Sequence, residues 1–349
     1  MAQDTGFDAP TGPEGSSLRI GVIGCGRIGR LHADIIARDV PGLALGGVAD
    51  VVTAAADGVS AATGAPVMTI DEMLASPDID AVAICTSTDT HVDYIVAAAA
   101  AGKPIFCEKP VSLNLAEVER GVDAVEAAGV PFMIGFNRRF DPGHVSVRDA
   151  VAEHTIGDLH LIRITSRDPA PPPVEYVAVS GGIFMDMMIH DFDMARFVAG
   201  SDVVEVYAKG AVRVDPRIGE AGDVDTAVVI LTHEDGTFTT IDNSREAVYG
   251  YDQRLEAFGS EGMAVSDNQS VHYGRTFTKG GAIAEPLPWF FLDRYLPAYR
   301  REWEAFRDYL VSGGPSPAGG NDAVQVTKIA MAAGQSMREG RAVRLTEIS

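Results

Sequence analysis

Residues 18–29 read Leu-Arg-Ile-Gly-Val-Ile-Gly-Cys-Gly-Arg-Ile-Gly, and this run sets the architecture of the chain. It opens with a short apolar segment, Leu18 to Ile23, and apolar residues then recur at helical spacing from Ile28 to Ile35. Between the two lies Gly24-Cys25-Gly26-Arg27-Ile28-Gly29, where the missing side chains permit a tight turn and a close approach of backbone to a pyrophosphate. The run therefore predicts a strand, a turn and a helix that together bind a nucleotide.

The next apolar run, Leu43 to Ala49, ends at Asp50. A carboxylate at this position is suited to accept hydrogen bonds from the adenosine ribose hydroxyls, and it would repel a 2′-phosphate. Val51 and Val52 supply no arginine for such a phosphate. Taken singly, the glycines could form an ordinary turn and Asp50 could be a solvated turn carboxylate. Taken together, they favour NAD as the cofactor over NADP.

Strands and helices alternate through roughly the first 135 residues, an arrangement typical of a doubly wound parallel sheet. After the two runs above, the predicted elements are the strand Ile79 to Cys85, the helix His91 to Ala101, the strand Pro104 to Cys107, a helix from about Ala116 to Ala128, and the strand Pro131 to Gly135.

The pattern changes in the second half of the chain. The runs Thr226 to Thr232, Thr237 to Ile241 and Arg254 to Phe258 predict a mainly antiparallel sheet. Helical signals return at Tyr299 to Leu310 and Ala323 to Met337, separated by a Gly/Pro-rich linker. With 349 residues, the chain is expected to hold two domains. We predict a flexible tail at 1–17, a nucleotide-binding domain at 18–137 and a substrate-binding and oligomerisation domain at 138–349.

Composition excludes several classes of partner. Acidic residues outnumber basic ones 49 to 28, and a net charge of -21 repels nucleic acid and anionic lipid, whereas a neutral polyol is acceptable. The longest aliphatic run, Ile95 to Ala101, is far shorter than the roughly 20 residues that span a bilayer. The three cysteines lack CxxC spacing, and the first residues lack the apolar core of a signal peptide. We therefore expect a cytoplasmic protein without a membrane segment.

A second motif carries a lysine to the end of a predicted strand of the parallel sheet. Gly102-Lys103-Pro104 is followed by Glu108-Lys109-Pro110. Ligands in such sheets gather beyond the carboxyl ends of the strands. Pro110 restricts Lys109 to extended geometry and allows a cis bond, which would aim the lysine at one place. A lone lysine would be interpreted as a solvated surface residue, but this placement favours a functional one.

A third motif runs from Gly181 to Asp193. If this segment is helical, Asp186 and His190 lie one turn apart and Asp193 follows on the same face. Oxidation of an alcohol needs a base for the hydroxyl proton, and histidine, with an ordinary pKa of about 6.5, suits neutral pH. Alternatives are a buried structural histidine or acids that complement a helix dipole. One histidine with nearby carboxylates lacks a metal-ligand signature, so no metal is expected.

These motifs, together with Gly135-Phe136-Asn137-Arg138-Arg139-Phe140-Asp141, resemble the glucose-fructose oxidoreductase/inositol dehydrogenase (Gfo/Idh/MocA) family over nearly the whole chain after the tail. Within the family the chain is most similar to inositol 2-dehydrogenases. The resemblance implies an α/β Rossmann domain, an α+β domain with a large open-faced sheet, and a homotetramer. It also implies NAD-dependent oxidation of a secondary hydroxyl of a cyclic polyol or sugar, myo-inositol or scyllo-inositol first.

The resemblance assigns roles to individual residues. Lys109, Asp186 and His190 form the catalytic set, with His190 as the base. The cofactor set comprises Gly24, Gly26, Arg27, Ile28, Asp50, Thr86, His91, Glu108 and Lys109. The substrate set comprises Lys109, Asn137, Arg138, Asp168, Asp186, His190, Asp193 and Tyr249.

Some of these roles have alternatives. Arg138 could pair with a carboxylate, Tyr249 could be a surface or core ring, and His91 could cap a helix. Ser166-Arg167-Asp168-Pro169 departs from the family pattern, in which a histidine and an asparagine flank the arginine. Another pyranose or an anhydrosugar such as levoglucosan therefore stays open as substrate. Two alternative functions also stay open: a glycosidase or lyase that uses NAD transiently, and a non-catalytic regulator that responds to NAD.

Overall fold

The computed structural model describes residues 17–272, 274–284 and 286–349. Of the predicted tail, only Ser17 falls among these residues. The chain divides into two compact units. The described part of the first unit runs from residue 17 to Asn137 and from Tyr299 to Gln325, and the second holds Arg138–Ala298 and Val326–Ser349. The first unit therefore includes a late segment that was predicted to belong to the second domain.

The first unit alternates strands and helices, as the sequence predicts. Its early elements are β1 (Leu18–Ile23), α1 (Arg27–Arg38), β2 (Leu43–Ala49), α2 (Thr53–Thr63), α3 (Ile70–Ala75), β3 (Ala81–Ile84), α4 (Thr88–Ala100), β4 (Ile105–Glu108), α5 (Leu115–Ala128) and β5 (Phe132–Gly135).

The five strands form one parallel sheet in the order β2-β1-β3-β4-β5. Ile20, Val22 and Phe106 are fully buried, as expected for strands covered on both faces. The strand order reverses on either side of β1, and such a point is where open α/β sheets bind ligands, beyond the carboxyl ends of the strands. The predicted doubly wound α/β sheet is confirmed, and its switch point is at Gly24.

The second unit contains short helices and a second sheet. Its elements in chain order are α6 (Pro142–Ala152), β6 (Leu159–Arg167), α7 (Val174–Val177), α8 (Gly182–Asp186), α9 (Ile189–Ala199), β7 (Val203–Ala211), α10 (Pro216–Glu220), β8 (Thr226–His233), β9 (Phe238–Ser244), β10 (Asp252–Gly259), β11 (Met263–Ser266), β12 (Arg275–Thr278), β13 (Gly281–Ala284) and, near the end of the chain, β14 (Val343–Arg344).

Seven of these strands form a mixed sheet in the order β11-β10-β6-β9-β8-β7-β14, and β12 and β13 form a separate hairpin. Within the seven-stranded sheet β6 and β9 pair in parallel, and the other pairs are antiparallel. Buried and exposed residues alternate along β8, so one face of the sheet is covered and the other is open. The prediction of a large, mainly antiparallel, open-faced sheet is confirmed.

Two long helices precede β14, namely α11 (Phe291–Ser312) and α12 (Gly320–Glu339), and the division between the units falls inside both. The sequence predicted a start at Tyr299 for the first of them, but α11 begins eight residues earlier and has Pro297 in its interior. Proline lacks the backbone N–H that an interior helical residue donates, so the sequence pattern placed the start after it. None of the described helices is long and apolar enough to cross a membrane.

Candidate active site

Two of the three glycines in the turn after β1 lie where no side chain would fit. Gly24 has φ +96°, and a Cβ on it would lie 2.6 Å from the carbonyl carbon and oxygen of Cys85. A Cβ on Gly29 would lie 1.8 Å from the carbonyl oxygen of Gly24. Gly26, by contrast, faces open space, with no atom within 4 Å of its Cβ position. The first and third glycines therefore let turn and helix pack closely, and the second leaves an open approach to the backbone.

The N-terminus of α1 follows directly on this open approach. Gly26 is the N-cap, its backbone is extended, and no side chain caps the helix. The first N–H groups of a helix have no partner within it, and with the helix dipole they attract an anion. The turn and the helix therefore fit the pyrophosphate of a dinucleotide, which is the group that the sequence predicted here.

Asp50 follows β2 and ties the turn to it. Its Oδ2 accepts a hydrogen bond from Cys25 N at 2.6 Å, and its Oδ1 accepts one from Val52 N at 2.7 Å. A carboxylate has lone pairs beyond these two, so Asp50 can still accept from a ribose hydroxyl. Val51 and Val52 are 86% and 59% exposed and carry no charge. This chemistry fits the unphosphorylated ribose of NAD.

Thr86 and His91 lie beyond β3. Thr86 is half-buried, and its hydroxyl lies 2.7 Å from that of Thr90. His91 is buried, with Nδ1 2.9 Å from the carbonyl oxygen of Pro110 and Nε2 3.1 Å from that of Thr86. Burial lowers the pKa of His91, so the ring donates to one carbonyl at a time. His91 therefore joins two loops of the protein, and its predicted contact with the cofactor stays a prediction.

Glu108 and Lys109 stand at the end of β4, where the sequence placed them. The Lys109–Pro110 peptide bond is cis. Glu108 is buried, and its Oε2 accepts a hydrogen bond from Lys109 N at 3.1 Å. Lys109 itself is half-buried. The lysine thus lies beyond the carboxyl end of a parallel strand, the edge of the sheet at which ligands bind.

Asp186 and His190 do not lie on one helix, and that prediction is wrong. Helix α8 ends at Asp186 and α9 begins at Ile189. Between them Met188 N donates to Ile183 O, and the hydrogen bonds then restart with Asp191 N donating to Met188 O. This turn breaks the single face that was expected to carry Asp186, His190 and Asp193. His190 is half-buried in the first turn of α9.

Asp186 is held by two groups that the sequence did not point to. Arg245 Nη1 donates to Asp186 Oδ2 at 3.2 Å, and Tyr176 Oη donates to Oδ1 at 2.8 Å. Arg245 is 1% exposed, and its Nη2 lies 3.5 Å from Asp223 Oδ2. A buried guanidinium is thereby placed between two carboxylates. Fifty-nine residues separate Arg245 from Asp186, so no local spacing could have revealed the pair.

Asp168, just after β6, is a titratable group of the same unit. Burial raises its pKa to about 6, while the charge of Arg245 lowers the pKa and that of Asp186 raises it. A carboxyl group with this pKa exchanges its proton near neutral pH. Asp168 can therefore present either a donor or an acceptor to a hydroxyl group.

Arg138 and Asp193 are both buried in ion pairs. Arg138 Nη1 donates to Asp191 Oδ1 at 2.6 Å, which is the carboxylate pairing considered above as its alternative. Arg139 donates to both oxygens of Asp193, at 2.6 to 3.1 Å. Their contact with a substrate stays a prediction. Asn137, in the 3₁₀ turn Asn137–Phe140, is also buried.

Tyr249 is 49% exposed, and its hydroxyl donates to Asp252 Oδ2 at 2.6 Å and accepts from Arg167 Nη1 at 3.0 Å. The ring is therefore at the surface, which is one of the alternatives considered for it above.

Among the predicted catalytic residues, Lys109 belongs to the first unit, and Asp186 and His190 belong to the second.

A parallel sheet with this glycine turn and Asp50 defines a dinucleotide-binding protein. Residues 18–136 match the family described as "Oxidoreductase family, NAD-binding Rossmann fold", and residues 144–265 match the GFO/IDH/MocA C-terminal domain. The chain belongs to the Gfo/Idh/MocA oxidoreductase family, and the predicted resemblance is confirmed.

Individual relatives are similar over almost their full length. Myo-inositol 2-dehydrogenase of Thermotoga maritima is 45% identical over 95% of this chain and 99% of its own. Inositol 2-dehydrogenase of Rhizobium meliloti is 45% identical over 94% of this chain and 99% of its own. The crystal structure of scyllo-inositol dehydrogenase from Lactobacillus casei with bound NAD(H) and scyllo-inositol is 30% identical, covers 95% of this chain and 100% of its own, and has a TM-score of 0.88.

Proposed function

We propose that this protein is an NAD-dependent inositol dehydrogenase that oxidises one secondary hydroxyl of myo-inositol or scyllo-inositol to the ketone. The observation that carries the proposal is the 45% identity to inositol 2-dehydrogenases over nearly the whole chain. The glycine turn, the uncapped N-terminus of α1 and Asp50 support the choice of cofactor, because each of them fits a part of NAD.

The reaction separates a hydride and a proton from the same alcohol. When bound, NAD supplies the hydride acceptor. His190 accepts the hydroxyl proton, and Lys109 donates a hydrogen bond to the reacting oxygen, which stabilises the charge that develops there. Asp186 orients His190 and is itself held by Arg245 and Tyr176.

The hydroxyls that do not react need partners of their own. Asp168 can accept from one of them in its ionised form and donate to one in its protonated form, because its pKa is about 6. The exposed Tyr249 adds a second polar group from the same unit. We also assign Asn137, Arg138 and Asp193 to the substrate set. The buried ion pairs of Arg138 with Asp191 and of Asp193 with Arg139 support a role in holding the shape of the site.

The test is a screen of the purified protein with NAD against inositol isomers, monosaccharides and anhydrosugars, with NADH absorbance as the signal. Myo-inositol or scyllo-inositol should give the highest kcat/KM. Turnover confined to another pyranose or to levoglucosan would contradict the inositol assignment. Consumption of a glycoside without net NADH would instead identify a glycosidase or lyase.

The same assay tests the choice of cofactor. NADP should give a much lower kcat/KM than NAD, because Asp50 would face its 2′-phosphate and no cation stands at Val51 or Val52. Equal efficiency with the two cofactors would contradict the role given to Asp50.

The open face of the seven-stranded sheet supports self-association of the chain, and we propose a homotetramer. Val228, Ile230, Phe238 and Phe258 are 42–50% exposed on three of its strands. Exposed apolar patches of this kind mark protein interfaces. Light scattering should give about four times the chain mass of 36.9 kDa.

The cysteines support a cytoplasmic location. Cys25, Cys85 and Cys107 are free and buried, as is usual in a reducing compartment. Cell fractionation should place the protein with the cytoplasmic enzymes.

A further inference from the structure

A chain of buried hydrogen bonds leads from α11 to the backbone of Lys109. Trp303 Nε1 donates to His32 Nδ1 at 2.8 Å, and His32 Nε2 lies 2.7 Å from Glu108 Oε1. The other oxygen of Glu108 accepts from Lys109 N at 3.1 Å. Trp303 and His32 are both 0% exposed, and Glu108 is 7% exposed. All four residues belong to the first unit.

Trp303 fixes which ring nitrogen of His32 carries the proton. An indole N–H can only donate, so the nitrogen that faces it, Nδ1, must accept and cannot carry a proton. The proton of His32 therefore sits on Nε2, which donates to Glu108. The partner of one ring nitrogen sets the role of the other, as it does in many histidines at functional sites.

Packing around the chain holds the rings in place. The His32 ring lies edge-on to Phe106, Tyr299 and Trp303, with centroids 5.2 to 5.6 Å apart. On the neighbouring strand β5, a Cβ on Gly135 would lie 3.2 Å from Glu108 Cδ, so the glycine leaves room for the carboxylate. The rings therefore pack around His32, and Gly135 leaves space for the Glu108 carboxylate that His32 contacts.

A second buried acid, Glu302, precedes Trp303 on α11. Burial raises the pKa of Glu302 well above its ordinary value, and the charge of Glu108 adds to the effect. Both causes disfavour a second negative charge beside Glu108. On the far side of Lys109, the carbonyl of Pro110 lies against His91. The segment Glu108 to Pro110 is thus held by a buried histidine at each end.

From this geometry we infer that His32 is a positioning residue for the dehydrogenase reaction. His32 holds Glu108, and through Glu108 it fixes the backbone from which Lys109 extends. Trp303 fixes the tautomer of His32 that can donate to Glu108. The inference rests on the proposed function for the role of Lys109. A misplacement of about 1 Å at a catalytic group can cost about 100-fold in rate, so a buried support of this kind can set kcat.

Two substitutions of His32 separate the two hydrogen bonds. In His32→Gln the side-chain amide reaches the place of Nε2 and can still donate to Glu108, but the bond from Trp303 is lost. In His32→Asn the amide oxygen takes the place of Nδ1 and can still accept from Trp303, but the bond to Glu108 is lost. His160→Gln is a matched control, because His160 is exposed on β6.

Three measurements are made on each variant. The chain has two tryptophans, so in a Trp289→Phe background the ultraviolet resonance Raman signal of the indole N–H comes from Trp303 alone. Hydrogen exchange with mass spectrometry follows the Lys109 amide, and steady-state kinetics give kcat and the KM for NAD.

His32→Asn should keep the hydrogen-bonded indole signal, speed exchange of the Lys109 amide and lower kcat by about 10- to 100-fold with little change in the KM for NAD. His32→Gln should lose the indole signal but keep slow exchange and most of kcat. Equal exchange rates and equal kcat in the two variants would overturn the inference. A wild-type protein that reduces no NAD with any polyol would refute the proposed function, and the exchange measurement would still decide the role of His32.

Discussion

His190 is the residue on which the proposed chemistry depends most. His190→Ala should lower kcat by about 10²- to 10⁴-fold, because proton transfer in the transition state loses its base. Binding of NADH, measured by fluorescence titration, should be unchanged, since the glycine turn and Asp50 lie in the first unit. A variant with full turnover would remove His190 from the mechanism.

Asp168 makes the stability of the fold depend on pH. Its folded pKa of about 6 exceeds the ordinary value of 3.8, so the folded state binds more protons than the unfolded state between these values. The free energy of unfolding therefore falls as the pH rises through this window. Asp168→Asn removes the effect and should be more stable than wild type by up to about 2 kcal/mol at neutral pH, but not at about pH 4.

Urea unfolding at the two pH values measures this difference. Asp267→Asn is the control, because Asp267 is an exposed residue after β11. A stability difference between Asp168→Asn and wild type that is the same at both pH values would contradict the raised pKa.

Single residues were predictable from the sequence where their signal was local. Gly24, Gly26 and Asp50 lie within 27 residues of one another, and their spacing alone indicated a dinucleotide site. Arg245 bonds to Asp186 across 59 residues, and Trp303 bonds to His32 across 271. Such partners are chosen by tertiary packing, which leaves no periodicity in the sequence.

At the scale of elements, the closest packing is between the glycine turn and α1. Gly29→Ala should destabilise the protein by about 2–3 kcal/mol and weaken NAD binding, because its Cβ would meet the Gly24 carbonyl at 1.8 Å and the turn would have to move. Thermal unfolding and NADH titration measure the two effects.

Gly58→Ala is the matched control for this substitution. Gly58 lies within α2, where the nearest atom to a new Cβ is Arg30 Nη2 at 3.8 Å, so alanine should stabilise the helix by up to about 1 kcal/mol. Similar effects of the two substitutions would show that helix propensity, and not the close contact at the turn, decides the outcome.

The strands of the first unit were predicted because each of them is a buried apolar run. Helices α2 and α3, which lie between β2 and β3, were not predicted. The break between α8 and α9 was missed, since the residues from Ile183 to His190 suit a helix and the interruption comes from one backbone bond, Met188 N to Ile183 O. Strand β6 was missed as well. Its residues mix charged and apolar side chains, and it pairs with β9, 77 residues away along the chain.

At the scale of the whole molecule, the exposed apolar face of the seven-stranded sheet is the interface that the proposed homotetramer would use. Ile230→Glu places a charge on this face and should lower the mass seen by light scattering from about four chains to fewer. Val311→Glu is the control, because Val311 is 65% exposed near the end of α11, in the first unit. An unchanged mass for Ile230→Glu would place the interface elsewhere.

The first unit is built from two segments that are far apart in the chain, and this affects how it folds during synthesis. Phe106 packs against Trp303 with ring centroids 4.7 Å apart, and Trp303 is encoded almost 200 residues later in the chain. A nascent chain that has passed Asn137 still lacks the aromatic cover of its first sheet. The part synthesised first should therefore reach its native, protease-resistant state only after the ribosome has released the last helices.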